Sequence, residues 1–232
     1  MTYRLLIADR SYSSWSLRGW LSLAAFELPV SLTETRMYLP GFRTDLAAFA
    51  PELTGAAAPR TVPILRLPEG GLLTDSLAIA ETLAERHPEA GLWPADPVAR
   101  ALARSLVAEM HSGFSALREA CPMNLRVAYT DVPVSDAVRA DLDRLEALWE
   151  SCSGLSRGGA PWLFGAYSLA DVFFAPVAMR IAGYGLGVGT DAQAYVAAHL
   201  AHPLLRDWRA KGLAQPEQPT YRRDYTTVDW PG

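Results

Sequence analysis

The sequence predicts an α/β domain followed by an all-helical domain. Short apolar runs alternate with helical patterns through residue 87, a proline-rich segment without periodicity covers residues 88–97, and apolar residues then recur at helical spacing. Alternating strands and helices are typical of α/β folds, and proline-rich segments are common at domain boundaries. We therefore predict one domain over residues 1–87, a linker over 88–97 and a helical domain over 98–232 that ends in an extended segment.

The first domain begins with a strand, a helix and a second strand. Residues 3–8 form a short apolar run, and from Leu17 to Leu28 the apolar residues lie on one helical face. Pro29 ends that helix, and residues 31–38 alternate apolar and polar side chains as a half-covered strand does. The pattern predicts a βαβ crossover, followed by a loop region over residues 39–60 with a short helix around 44–49.

The first domain closes with a hairpin and a helix. Residues 61–65 are an apolar strand with Pro63 at its start, and the turn Pro68-Glu69-Gly70-Gly71 separates residues 64–67 from 72–74. Asp75-Ser76 then precedes the apolar face of a helix, where either residue is an ordinary N-cap.

The second domain is predicted to be helical up to its last segment. Residues 98–121 read as one long helix stopped by Pro122, and a second helix follows Ser135 and ends near Gly154. The spacing Ser168-x-x-Asp171 matches a capping box, which gives Asp171 a structural role. Residues 215–232 contain three prolines but also large aromatic side chains, so we expect a non-helical segment docked on the protein.

Composition and isolated motifs exclude several classes of function. The chain of 232 residues is 50% hydrophobic and 20% charged, with a net charge of −4, so it lacks the basic surface that nucleic acids require. The sequence contains neither a signal peptide nor a membrane-spanning run, and we expect a cytoplasmic protein.

His199 and His202 are too few for a metal site and should be surface or capping residues, while residues 183–189 form a glycine-rich connector. The distant pair Cys121 and Cys152 should be reduced core residues.

Hydroxyl side chains crowd the junction between the first strand and the first helix. The stretch runs Ser11-Tyr12-Ser13-Ser14-Trp15-Ser16-Leu17-Arg18. A helix N-terminus carries unpaired N–H groups and the positive end of the helix dipole, so it favours an anion. One serine would serve as an ordinary cap, but a cap does not need several hydroxyls.

The segment from Ser13 to Arg18 reads Ser-Ser-x-Ser-x-Arg, which resembles the active-site turn of zeta-like glutathione transferases. The resemblance extends along nearly the whole chain. It implies a thioredoxin-like N-terminal domain joined to an all-α C-terminal domain, the glutathione transferase architecture, in a homodimer. It also implies a detoxifying enzyme that conjugates the thiol of glutathione to small electrophiles without a metal.

The same resemblance assigns roles to individual residues. Ser13, or next to it Ser14, would donate a hydrogen bond to the glutathione thiolate. Val62, which precedes a cis Pro63, would pair its backbone with the cysteinyl part of glutathione. Asp75 and Ser76 would hold the γ-glutamyl end, Asp75 through the ammonium and Ser76 through the carboxylate. Candidates for a supporting shell or the electrophile pocket are Trp15, Arg18, Met110, His111, Phe114 and Asn124.

Two alternatives remain beside conjugation. One is a glutathione-dependent cis-trans isomerase of the maleylacetoacetate type, and the other is a non-catalytic interaction protein with the same fold. Trp15 stands where zeta enzymes often have cysteine, and Thr61 stands where they have a different polar residue, which favours conjugation over isomerisation. The presence of the serine turn, Val62-Pro63 and Asp75-Ser76 together argues against a non-catalytic protein.

Overall fold

A computed structural model describes residues 2–152, 154 and 161–232. The first domain is built on a mixed four-stranded sheet with the order β2-β1-β3-β4. Its strands are β1 (Tyr3–Ala8), β2 (Val30–Thr35), β3 (Ile64–Arg66) and β4 (Leu72–Leu73). β1 pairs in parallel with β2, which confirms the predicted βαβ crossover. β3 pairs antiparallel with both β1 and β4, and its pairing with β4 confirms the predicted hairpin.

Helices surround this sheet and make up most of the second domain. In the first domain they are α1 (Ser14–Ala24), α2 (Phe42–Phe49) and α3 (Ser76–Arg86). In the second they are α4 (Pro97–Ser112), α5 (Ser115–Ala120), α6 (Asp136–Glu150), α7 (Leu169–Gly183), α8 (Thr190–Ala201) and α9 (Pro203–Leu213). Among the described residues, no helix is both long and apolar enough to cross a membrane.

Helix α1 packs on both domains, because it contacts β1 and α3 on one side and α7 on the other. Helix α7 is buried along almost its entire length, as its nearly uninterrupted apolar sequence requires. Its start is the predicted capping box: the carboxylate of Asp171 accepts hydrogen bonds from the Ser168 backbone N–H at 2.9 Å and from the Tyr195 hydroxyl at 2.9 Å. The box therefore fixes α7 against α8.

The prediction of one long helix over residues 98–121 is wrong. Helix α4 ends at Ser112 and α5 begins at Ser115, because Phe114 takes a left-handed conformation with φ of 59°. A Cβ atom at Gly113 would lie 2.9 Å from the carbonyl oxygen of Glu109, so the chain leaves the helix where only glycine fits. The apolar spacing continues across this break, which is why the periodicity concealed it.

The histidines of α8 and α9 occupy different environments. His199 is fully buried among aromatic rings, so its predicted surface or capping role is wrong. His202 caps α9 by accepting a hydrogen bond from the backbone of Leu204, as expected. Cys121 and Cys152 are buried free thiols, and burial raises the pKa of each to about 11.

The segment over residues 215–232, which we call the C-terminal segment, docks on both domains. Its strand β6 (Thr226–Val228) pairs antiparallel with β5 (Ala128–Thr130), which adds a small sheet to the helical domain. Nearer its start, the Gln215 carboxamide accepts a hydrogen bond from the Arg10 backbone at 2.8 Å. The predicted docking of this segment is confirmed.

Candidate active site

A cavity of about 610 Å³ lies beside the N-terminus of α1. Ser13, Trp15 and Val62 contribute to its wall, together with Met37, Tyr38, Leu39, Pro40, Phe42, Arg43, Arg60 and Thr61. The cavity thus brings the serine turn and the residue before Pro63 to one place, as the resemblance implies.

Ser13 is the N-cap of α1 and is almost completely buried. Its Oγ accepts from the Ser16 backbone N–H at 3.2 Å and lies 2.8 Å from the Ser16 Oγ. Ser16 in turn accepts from the backbone N–H of Ala8, the last residue of β1, at 2.9 Å. Because hydroxyl protons rotate, either serine can be the donor in this pair, and Ser13 can turn its own proton towards the cavity.

Ser14 lies behind the cavity wall and faces the second domain. Its Oγ accepts a hydrogen bond from the Arg180 guanidinium at 2.8 Å and lies 3.8 Å from the sulfur of Met123. The two predicted serines therefore differ: Ser13 reaches the cavity, whereas Ser14 is tied to α7.

Val62 and Pro63 are joined by a cis peptide bond. Gly19 of α1 packs directly on Pro63, and a Cβ atom at position 19 would lie 2.8 Å from two carbons of the proline ring. Glycine at this position allows α1 to approach closely, which holds Ser13 near Val62.

Asp75 and Ser76 begin α3. The Oδ1 of Asp75 caps the helix by accepting from the backbone N–H groups of Leu77 at 2.8 Å and Ala78 at 3.0 Å. Its Oδ2 lies 3.2 Å from the Nε2 of His111. The Ser76 hydroxyl is buried, and it has no hydrogen-bond partner in the part of the chain that the structure describes. The helix cap therefore uses only Oδ1, so Oδ2 of Asp75 and the hydroxyl of Ser76 take no part in it.

Trp15 is the centre of a cluster between the two domains. The guanidinium carbons of Arg18 and Arg118 lie 4.6 and 5.1 Å from its ring centroid, and the His111 ring meets it edge-on at 5.2 Å. Arg18 is 1% exposed and donates to the carbonyl of Phe173 at 3.0 Å, so it is a buried residue that supports this cluster.

The remaining predicted pocket residues lie elsewhere. Met110 and Phe114 are part of the hydrophobic core. Asn124 accepts from the Arg126 backbone at 3.0 Å and contacts the carbonyl of Tyr221, so it stabilises a loop and the C-terminal segment. None of the three lines the cavity.

Sequence reasoning did not find Arg43 and Arg60, two exposed cations on the cavity wall. Their signal in the sequence is that both arginines lie within the proline- and glycine-containing region over residues 39–60. The part of the chain that the structure describes contains no group of three or more histidine, cysteine, aspartate or glutamate side chains that could hold a metal ion.

The C-terminal segment also stabilises the cavity wall. The sequence predicted only that this segment docks on the protein. The Gln218 backbone N–H donates to the Tyr12 hydroxyl at 3.1 Å, and its side chain donates to the carbonyl of Met37 at 2.9 Å. The Tyr221 ring stacks on Tyr12 with centroids 4.7 Å apart. These contacts fix the serine turn and the start of the loop after β2 from outside.

The fold and the cavity together define a two-domain protein with a thioredoxin-like domain and a helical domain, the architecture of glutathione transferases. Residues 12–86 match the family model described as "Glutathione S-transferase, N-terminal domain". A maleylacetoacetate isomerase from Pseudomonas aeruginosa is 30% identical over 161 residues, which cover 68% of this chain and 74% of the relative. The chain belongs to the glutathione S-transferase family and is an enzyme, and this relative agrees with the zeta-like resemblance.

Solved structures share the fold. A glutathione transferase homologue from Burkholderia gl BGR1 with bound glutathione has a TM-score of 0.65 at 23% identity, covering 91% of this chain and 98% of its own. A homologue from sulfitobacter, also with bound glutathione, has a TM-score of 0.61 at 23% identity and covers 91% and 99%. The predicted architecture is therefore confirmed.

Proposed function

We propose that this enzyme conjugates the thiol of glutathione to small electrophiles at the cavity beside Ser13. The observation that carries the proposal is the shared cavity itself, because Ser13 at the N-terminus of α1 and Val62, which precedes the cis Pro63, both line it. A peptide thiol held by the backbone of Val62 would then lie next to a hydrogen-bond donor.

The cavity and its surroundings offer a group for each end of the tripeptide. The cysteinyl backbone would pair with the main chain of Val62. The γ-glutamyl ammonium would meet the Oδ2 of Asp75, while its carboxylate would take the unpartnered Ser76 hydroxyl at the N-terminus of α3. The glycyl carboxylate would meet Arg43 or Arg60 on the opposite wall.

The serine turn would make the thiol reactive at neutral pH. Free thiols have a pKa of about 8.5, and lowering this by about two units requires roughly 2.7 kcal/mol of preference for the thiolate. A charge-assisted hydrogen bond from Ser13 supplies about 1.5–3 kcal/mol and the dipole of α1 about 0.3–1 kcal/mol. The proton leaves to solvent, the thiolate sulfur forms a bond to the electrophilic carbon, and the leaving group departs with the bonding electron pair.

A second candidate is isomerisation of a maleyl-type diacid, which the identity to the maleylacetoacetate isomerase of Pseudomonas aeruginosa favours. In that reaction the thiolate adds to a carbon-carbon double bond, the resulting single bond rotates, and the thiolate is expelled again. Glutathione is then not consumed, whereas conjugation consumes one molecule for each turnover.

Binding and turnover together test these reactions. Titration calorimetry with S-methylglutathione should give saturable binding, and a chlorinated nitroaromatic compound should then be converted with loss of free thiol. Conversion of a maleyl diacid without thiol loss, in the absence of conjugation, would favour isomerisation. Binding without either turnover would refute both of these reactions, and no binding would refute the glutathione site.

We further propose that the enzyme acts in the cytoplasm as a homodimer. Membership of the family supports this, and so do the exposed side chains of Tyr38 and Leu39 at the cavity rim, which are 65% and 50% exposed. Large apolar groups exposed together are typical of surfaces that a partner covers. Light scattering of the purified protein measures the assembly, and a monomer at micromolar concentration would contradict it.

A further inference from the structure

Three arginines from different helices meet beneath the serine turn, and we call Arg18, Arg118 and Arg180 the arginine cluster. Arg18 and Arg118 both lie on the ring of Trp15, and Arg180 donates to the Ser14 Oγ at 2.8 Å. Within the described ranges 2–152, 154 and 161–232, none of the three has a carboxylate oxygen within 4.0 Å. Among the described residues, the cluster therefore has no direct ion pair, and Asp141 acts on Arg118 only from a greater distance.

The hydrogen bonds of the cluster do not remove this charge. Arg180 donates to the carbonyls of Cys121 at 2.9 Å and Pro176 at 3.1 Å, and Arg118 donates to the carbonyls of Met110 and His111. Carbonyl groups satisfy N–H donors but remain neutral, so the cost of burying the charges persists. The buried Nη2 of Arg18 has no partner among the described residues. An anion nearby would offset this cost.

Burial shifts the pKa of each arginine in the cluster. It lowers the pKa of Arg18, and with help from the neighbouring charge of Arg118 it lowers the pKa of Arg180 to about 10. The pKa of Arg118 is also lowered by burial. Because burial disfavours the charged form of each guanidinium, each would gain from a nearby negative charge.

The cluster lies directly behind the cavity, from which Trp15 and the serine turn separate it. Trp15 contacts two of the arginines and also lines the cavity with Ser13. Ser14 follows Ser13 in the turn and is held by Arg180. A negative charge that forms next to Ser13 would therefore face a buried positive field through a thin layer of protein, where screening by water is weak.

We propose that Arg180 is a positioning residue that acts through Ser14 and that the arginine cluster stabilises the thiolate of glutathione bound at Ser13. This inference rests on the proposed function. Arg180 fixes the side chain of Ser14 and with it the backbone of the turn that presents Ser13. Its charge, together with those of Arg18 and Arg118, favours loss of the thiol proton before the electrophile arrives.

The titration of other groups around the cluster must be distinguished from that of the glutathione thiol. They are Cys121, Asp141, Tyr184, His111 on the other side of Trp15, and Tyr221 of the C-terminal segment. Burial raises the pKa of the Cys121 thiol to about 11 and raises those of Tyr184 and Tyr221 further, so these three stay neutral in the range where glutathione titrates. A His111→Gln variant accounts for the imidazole, and Asp141→Asn accounts for the carboxylate.

The experiment measures the pKa of bound glutathione from the ultraviolet absorbance of its thiolate. Arg180→Met should raise this pKa by about one unit, which is a tenfold smaller thiolate fraction below the pKa. Arg180→Lys, which keeps the charge but loses the planar fork, should fall between Met and wild type. Arg206→Met removes the same charge from an exposed site on α9 and should leave the pKa unchanged. S-methylglutathione, which has no thiol, should bind all variants equally.

A double variant tests the route through Ser14. If Arg180 acts through Ser14, Ser14→Ala combined with Arg180→Met should raise the pKa by less than the sum of the single changes. Should Arg180→Met fail to fold, Arg118→Met removes a half-buried charge without touching Ser14 and should also raise the pKa.

Three results would overturn the inference. An unchanged thiol pKa in folded Arg180→Met would exclude the cluster as the source of thiolate stabilisation. If Arg180→Met does not fold, an unchanged pKa in Arg118→Met would exclude it. A higher KM for the electrophile at unchanged pKa would instead place Arg180 in the electrophile pocket. Failure of the wild type to bind S-methylglutathione would overturn the proposed function and this inference together, whereas binding with an unchanged pKa overturns the inference alone.

Discussion

The change Ser13→Ala tests both roles that the structure gives to this side chain. Loss of the N-cap of α1 should lower the free energy of unfolding by about 1 kcal/mol. Loss of a charge-assisted hydrogen bond to the thiolate, worth about 1.5–3 kcal/mol, should lower turnover by roughly 10- to 150-fold. The affinity for S-methylglutathione should change little, because Ser13 does not contact the ends of the tripeptide in the proposed complex.

Ser135→Ala is a matched control, because Ser135 caps α6 with the same kind of bond, accepting from the Val138 backbone N–H at 3.3 Å. It should cost a similar free energy of unfolding, measured by urea denaturation, while turnover of a chlorinated nitroaromatic compound stays at the wild-type rate. Turnover of Ser13→Ala within about twofold of Ser135→Ala would refute the role of Ser13. A large loss in Ser14→Ala with none in Ser13→Ala would move the thiolate donor to Ser14.

Three further predictions concern the surroundings of the cavity. Asp75→Ala should weaken glutathione binding in calorimetry by about 2 kcal/mol, roughly thirtyfold, because it leaves the γ-glutamyl ammonium unpaired. Asp75→Asn should weaken binding by less, because it keeps an acceptor oxygen. Asp96→Ala removes a cap of the same geometry on α4 and should leave the dissociation constant alone, so equal constants for the two alanine variants would contradict the role of Asp75. Gly19→Ala should lower the melting temperature by several degrees, since its Cβ would lie 2.8 Å from Pro63, and an unchanged value would show that α1 shifts freely. Asp171→Ala leaves buried donors unpaired and should cost about 3 kcal/mol or more in urea denaturation, and a loss below about 1 kcal/mol would contradict its structural role.

Local patterns in the sequence predicted most of the fold. The strand-helix junction at Ser13 and the capping box at Asp171 follow from spacing and residue type over a few positions, and both are present. The break at Gly113 was missed because apolar spacing reports which face of a helix is buried, and that face stays buried across the break. Periodicity does not report backbone dihedral angles.

The parts of the site that depend on distant contacts could not be predicted in this way. Ser14 and Arg180 are 166 positions apart, and neither residue carries a sign that the other is its partner. Arg18 was a candidate for a supporting shell or the electrophile pocket, but nothing local in the sequence showed that it is buried, since a single arginine in a helix is usually solvated. Only the packing of α1 against α7 shows that it is buried.

The contacts of the C-terminal segment have a consequence for synthesis of the protein. Gln218 binds Tyr12 and Met37, which leave the ribosome roughly 180 to 200 residues earlier. At about 5–20 residues per second, the first domain is complete for several seconds or longer before Gln218 exists to hold its cavity wall. The newly made domain must therefore persist with that wall unsupported. Translation that stops short of Gln218 would leave the turn at Ser13 present in the product but without its outer support.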